Sequence, residues 1–200
     1  MTLRIIVAVF FCIALSSCAI NERTAHRYAN AGEAASQRGD WTAAREHWRR
    51  AVINAKLAHM NNRALAVAHY EYGRASGVVC EWTEAEFGLK EAYRLDAAGG
   101  GPAYMAAYEL GRMYYDRKQY GNAADQFARV KVDFDRLQAD TKDPVGYADF
   151  LDEYAIALEQ TGKAREAQPL RARSSELRKV FSGRAARTEK TPYGTQCKNP

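Results

Sequence analysis

Apolar residues along this chain fall into three regimes. Residues 5–15 form an unbroken apolar run, IIVAVFFCIAL, behind a short start whose one charged side chain is Arg4. From about residue 25 to residue 181 the apolar positions recur every three or four residues, the period of an amphipathic helix, with little period-two alternation. Beyond Phe181 the period is lost, and 182–200 mixes glycine, charge and Thr-Pro-Tyr-Gly. That composition predicts an extended tail unless Cys197 ties it down.

The periodic region is also self-similar. Gly39-Asp40-Trp41-Thr42-Ala43-Ala44 leads into Trp48 and Ala51, and Cys80-Glu81-Trp82-Thr83-Glu84-Ala85 leads into Leu89 and Ala92. Lys118-Gln119-Tyr120-Gly121-Asn122-Ala123 leads into Phe127 and Val130, and Gly162-Lys163-Ala164-Arg165-Glu166-Ala167 leads into Arg171 and Ser174. Seven residues before each turn residue stand Gly32, Gly73, Gly111 and Ala155. The small residues let paired helices approach, while Trp41, Trp82 and Tyr120 open the second helix of each pair as wedges.

With Leu110-Gly111 and Tyr114 forming L-G-x-x-Y, the pattern resembles tetratricopeptide repeats, each a pair of antiparallel helices. The resemblance covers residues 25–181. It implies an all-α, right-handed superhelical stack of about four helix pairs, an α-solenoid stabilised by neighbour stacking. The spacings depart from the family's period of about 34: the small residues recur at 41, 38 and 44. Longer helices or looser connections must absorb the excess. Residues 41–62 read as one long helix. Gly99-Gly100-Gly101-Pro102 is a break, and Asp143-Pro144 an N-cap with a first-turn proline. Pro169 should kink the last helix or delay its start, and Arg171 replaces the expected aromatic, which suits a polar cap.

The apolar run at the N-terminus is too short for a stable membrane span, which needs about 20 residues, and has the length of a signal-peptide core. It ends in Leu15-Ser16-Ser17-Cys18, which resembles the lipobox of bacterial lipoproteins. That resemblance implies a signal peptide over 1–17, lipidation of Cys18 and a lipidated linker over 18–24. Several buried acyl chains would anchor the chain firmly. Ala19, rather than aspartate, follows the cysteine and resembles the outer-membrane sorting pattern, so the implied address is the periplasmic face of the outer membrane.

Charge adds a second theme. Overall there are 29 Lys+Arg against 24 Asp+Glu, but from Lys163 onward there are ten basic and three acidic residues. The stretch 171–190 is either a contact for peptidoglycan or an anionic lipid surface, or a solvated helix face with a loose tail. Cys12 leaves with the signal and Cys18 takes lipid. Cys80 and Cys197 then remain, and in an oxidising compartment they either pair or stay as a turn residue and a free thiol.

Chemistry is sought in vain. His26, His47, His59 and His69 form no H-E-x-x-H and stand near no ligand-spaced cysteine. There is no phosphate loop, no G-x-S-x-G and no metal or cofactor motif, and the carboxylates around Asp149, Asp152 and Glu153 read as a solvated face. The expectation is a non-enzymatic protein without cofactor and without nucleic acid. Its role would be an interaction scaffold or adaptor for a periplasmic or outer-membrane protein in pilus, secretion, outer-membrane-protein or cell-wall machinery. The best candidate surface is a repeated pentad: Tyr70-Glu71-Tyr72-Gly73-Arg74 and Tyr108-Glu109-Leu110-Gly111-Arg112. Tyrosine and arginine at i and i+4 share a helix face. The resemblance puts them on the concave side, Tyr70 beside Tyr108, Arg74 beside Arg112, and Tyr115 one turn on. Aromatic plus arginine favours partner binding. The competing reading pairs each arginine with a nearby carboxylate and packs the tyrosines locally.

Overall fold

The computed structural model describes residues 2–197, with side chains from residue 19 onward. Cys18 and the residues before it therefore lie outside the described side chains. The described elements are helical: α1 Thr2–Gln37, α2 Trp41–Leu57, α3 Asn62–Val78, α4 Trp82–Gly99, α5 Ala103–Asp116, α6 Tyr120–Arg136, α7 Ala139–Lys142, α8 Pro144–Gln160 and α9 Ala164–Val180. None of the described helices is long and apolar enough to cross a membrane. The chain divides into two compact units, Met1–Ala103 and Tyr104–Pro200.

The turns explain where the helices stop. Gly39, His59, Cys80, Gly100, Lys118, Gln138 and Gly162 all adopt positive φ, between 52° and 79°. A left-handed residue just past a helix lets the next N–H reach back five residues, closing a Schellman motif. Asp40 N bonds Ala35 O at 3.0 Å, Met60 N bonds Ala55 O at 3.0 Å, and Lys163 N bonds Leu158 O at 2.9 Å. Asp40, Asn61 and Asp143 then cap the following helices, accepting from the N–H groups of Ala43, Ala64 and Gly146. Pro144 occupies the first turn of α8 as its sequence predicts.

Two expectations are corrected by these turns. Residues 41–62 are not one helix: α2 ends at Leu57, because His59 takes φ of 52° and Asn61 caps α3. A left-handed histidine carries no glycine signature in the sequence, so this turn is silent there. Pro169 does not delay α9, which starts at Ala164 and runs on through it.

Within unit 1, α1 packs on α2, α2 on α3 and α3 on α4. The contact points are the small residues. A Cβ on Gly32 would stand 2.7 Å from the Trp48 ring, and one on Gly73 would stand 2.8 Å from Leu89. The core joins Ala35, Ala44, Trp48, Ala51, Val52, Ala68, Tyr72 and Ala75, with Tyr28 and Trp41 packed against it. Unit 2 repeats the device, since a Cβ on Gly111 would meet the Phe127 ring at 2.6 Å. Its core is aromatic rather than alanine-rich. Phe150 lies edge-on to Phe134 at 4.9 Å and to Phe127 at 5.6 Å, and Tyr108 completes the cluster. The fourth pair lacks such a plug. There Arg171 forms a bidentate pair with Glu159 at 3.1 and 2.9 Å, a polar seam between α8 and α9.

Candidate partner-binding groove

Each glycine of the Tyr-Glu-x-Gly-Arg pentads faces its partner helix, Gly73 against Leu89 and Gly111 against Phe127. In unit 1, the Arg74 guanidinium lies 5.5 Å from the centroid of the Tyr70 ring. Its Nη1 donates to both oxygens of Glu71, at 3.1 and 2.9 Å. In unit 2, Tyr108 belongs to the aromatic core, 5.4 Å from Phe134 and 5.8 Å from Phe150 between centroids. Burial pushes its phenol well above the ordinary range, and Glu153 pushes the same way. Tyr115, one turn past Arg112, lies edge-on to Tyr120 at 5.8 Å and is half-buried.

Arg112 is only 5 % exposed. Its Nε stands 3.6 Å from Glu153 Oε2. Among the described residues, Arg112 Nε and Nη1 and Glu153 Oε2 have no hydrogen-bond partner. Burial works against the guanidinium charge, but Glu109, Glu153, Tyr108 and Tyr193 together hold its pKa above the ordinary arginine value. Each arginine of the repeated pentad thus sits beside a carboxylate, and Arg112 is closed from solvent.

The C-terminal segment contributes to that closure. Residues 182–197 contain no helix or strand, but they are tied to unit 2 at three places. The Arg187 backbone N–H donates to the Asp143 carboxylate at 3.2 Å, at the start of α8. Lys190 Nζ donates to Glu153 Oε1 at 2.5 Å and lies 3.9 Å from Asp149 Oδ2. The Tyr193 hydroxyl donates to Glu109 Oε2 at 2.6 Å on α5. Thr191 and Tyr193 are 1 % and 5 % exposed. Asp149 and Glu153 read in the sequence as a solvated face, but Glu153 is 9 % exposed and both meet Lys190, while the pairing of Tyr193 with Glu109 has no counterpart in the sequence pattern. Glu109 lies inside the repeated pentad, which was the available signal. The tail pair lies in a region without periodicity.

The basic stretch is also largely engaged with the chain's own acids. Arg173 pairs with Asp140 at 2.7 Å and Glu176 at 2.8 Å, and Arg178 pairs with Asp149 at 2.6 Å and Asp152 at 2.7 Å. In unit 1 an open hollow of about 370 Å³ lies among α1, α2 and α3, lined by Ala25, Trp48, Ala51, Val67 and neighbouring residues. His69 is 1 % exposed, with neither ring nitrogen bonded among the described residues. Burial lowers its pKa to about 4, with Lys56 adding to the effect. Among the described residues no cluster of three or more His, Cys, Asp or Glu could hold a metal. Cys80 and Cys197 are each disulfide-bonded.

No protein-family model matches the sequence, and no curated protein is significantly similar to it. Solved structures are similar in fold. BtubC (BKLC) from P. vanneervenii superposes with a TM-score of 0.72 at 15 % identity, covering 83 % of this chain and 67 % of that one. The TPR-like repeats of a Podosopora anserina putative kinesin light chain superpose with a TM-score of 0.60 at 20 % identity, covering 83 % of this chain and 84 % of that one. A single-substitution form of the same repeats matches at 19 % identity, again with a TM-score of 0.60. At such identities the likeness speaks for architecture alone, and the architecture is an all-α solenoid of TPR-like helix pairs.

Proposed function

We propose that this chain is a lipid-anchored protein of the bacterial envelope that holds a protein partner, acting as a scaffold or adaptor rather than as an enzyme. The observation that carries this reading is the peptide-like docking of the chain's own segment 187–193 on the helices of unit 2, through side chains that recognise rather than react. A helix-pair stack presents extended surfaces suited to such segments. The anchor rests on Leu15-Ser16-Ser17-Cys18, and the outer-membrane address on Ala19. On this reading the partner belongs to envelope assembly: pilus or secretion, outer-membrane-protein or cell-wall machinery. We also assign the cystine sulfurs to one bridge, Cys80 to Cys197, as the pair left once Cys18 is acylated and the signal removed.

Crosslinking in intact cells tests this function. Protein isolated from membranes should carry acyl mass on an N-terminal Cys18, yield a Cys80–Cys197 linked peptide without reductant, and bring down a defined envelope protein. Cys18→Ala should abolish the acyl mass and reduce that capture. A mature protein cut elsewhere and unacylated would sink the anchor. Crosslinks no different from those of an unrelated periplasmic control would sink the adaptor role.

A further inference from the structure

We propose that the groove between α5 and α8 is a docking site for a peptide carrying a lysine and, three residues later, a tyrosine, and that residues 190–193 are its built-in occupant. The inference rests on the adaptor reading and names the partner chemistry of that same site.

Charge is the first argument. Glu109 and Arg112 lie one turn apart on α5, and Asp149 and Glu153 lie one turn apart on α8, so each pair shares a helix face. Glu109 is 6 % exposed and Glu153 9 %. Among the described helix residues, Arg112 is the groove cation for these two buried carboxylates, while Asp149 is held by Arg178 at 2.6 Å. With the tail lifted away, the groove sets two carboxylates against one guanidinium, an unbalanced negative charge. The tail supplies what is missing: an ammonium for Glu153 and a phenolic hydroxyl for Glu109. A partner replacing it must offer the same two donors at the same separation.

Spacing is the second argument. Lys190 and Tyr193 touch a carboxylate on α8 and one on α5 from either side of a tight turn, in which the Tyr193 N–H donates to the Thr191 carbonyl at 3.0 Å. Pro192 between them faces solvent. It limits the conformations of the free segment, lowering the entropy lost on docking.

Incomplete satisfaction is the third. Arg112 is more than nine-tenths buried, yet its Nε and Nη1 have no hydrogen-bond partner among the described residues, nor does Glu153 Oε2. A core assembled only for stability satisfies such groups. A guanidinium left with open donors between two docked tail side chains suits a site whose occupant is exchangeable, and a partner supplying an additional acceptor there would out-compete the tail.

A binding measurement on the full mature chain tests this. The probe is a fluorescent synthetic peptide of residues 187–196, Arg-Thr-Glu-Lys-Thr-Pro-Tyr-Gly-Thr-Gln. An attached tail competes at an effective concentration of about 1 mM, so wild type should bind the peptide weakly. The variant Lys190→Glu, Tyr193→Ala, Cys197→Ser, which also releases the tail from its disulfide, loses its own occupant and should bind at least roughly tenfold more tightly. Glu109→Gln with Glu153→Gln on that background should return binding to the wild-type level, and a peptide with Phe for Tyr193 should bind less. Helical circular dichroism on each variant separates loss of site from loss of fold. Equal binding by wild type and tail variant, no binding by either, or indifference to the two glutamates in a folded protein overturns the proposal. If the peptide fails while a partner is still captured in cells, this inference falls alone. If the peptide binds and no partner is captured, the adaptor reading falls alone.

Discussion

At the scale of single residues, His69 makes the sharpest claim. It is the buried titratable group of unit 1 whose pKa is shifted furthest from its ordinary range, to about 4 against 6.5. The shift is downward, so the neutral ring is the folded form, and unfolding at acid pH takes up a proton. The stabilising effect is present above about pH 6.5 and lost as the pH falls toward 4. Denaturant unfolding at pH 7 and pH 4.5 should show wild type losing about 2 kcal/mol more than His69→Leu. Parallel losses in the two proteins would mean that the imidazole is solvated. The sequence marks His69 only as a helical histidine, because nothing in one chain's spelling says which face is sealed. Small residues are different. Ala44, Ala85 and Ala123 are fully buried, and Ala167 is 1 % exposed. They were legible because helices this close admit little else, so the constraint is written in residue size at a fixed spacing.

Elements are held by the same economy of volume. The sign of a glycine substitution should therefore depend on what its Cβ would touch. On Gly73 it would stand 2.8 Å from both the Leu89 side chain and the Leu89 backbone nitrogen, and 3.0 Å from the Ala85 carbonyl oxygen. Backbone cannot yield as a side-chain tip does. Gly73→Ala should cost about 1–3 kcal/mol, outweighing the gain in helix propensity of about 1 kcal/mol. Gly121 in α6 has nothing within 4 Å of its Cβ position, and Gly121→Ala should stabilise by about 0.5 kcal/mol. Thermal melting of both variants checks the pair, and a destabilising Gly121→Ala or a neutral Gly73→Ala would contradict the packing account. Helix starts at Trp41, Trp82 and Tyr120 follow the repeat. The stops at His59 and Gln138, and the short α7 after the latter, did not announce themselves. Left-handed backbone there is imposed on ordinary side chains by the hairpin that follows.

For the whole molecule, the tail changes the meaning of the surface. The repeated pentad suggests Tyr70, Arg74, Tyr108, Arg112 and Tyr115 as a partner-binding face, but Tyr108 packs in the aromatic core and Arg112 lies 5 % exposed beside the tail. That pattern could not reveal the tail's contacts with the neighbouring carboxylates. The tail's hold consists of individual donors, Lys190 and Tyr193, placed on carboxylates distant in sequence, and no period records such pairings. Partner binding at this face and displacement of 190–193 are then a single event. The most direct test is photo-crosslinking in living cells from benzoylphenylalanine placed at Tyr115, beside the groove, and at Val132, which is 69 % exposed on α6. The account predicts a discrete protein adduct from position 115 that grows when Lys190→Glu, Tyr193→Ala and Cys197→Ser free the groove, and none of that adduct from position 132. An adduct from 132 alone, or one from 115 that is unchanged by freeing the groove, would contradict it.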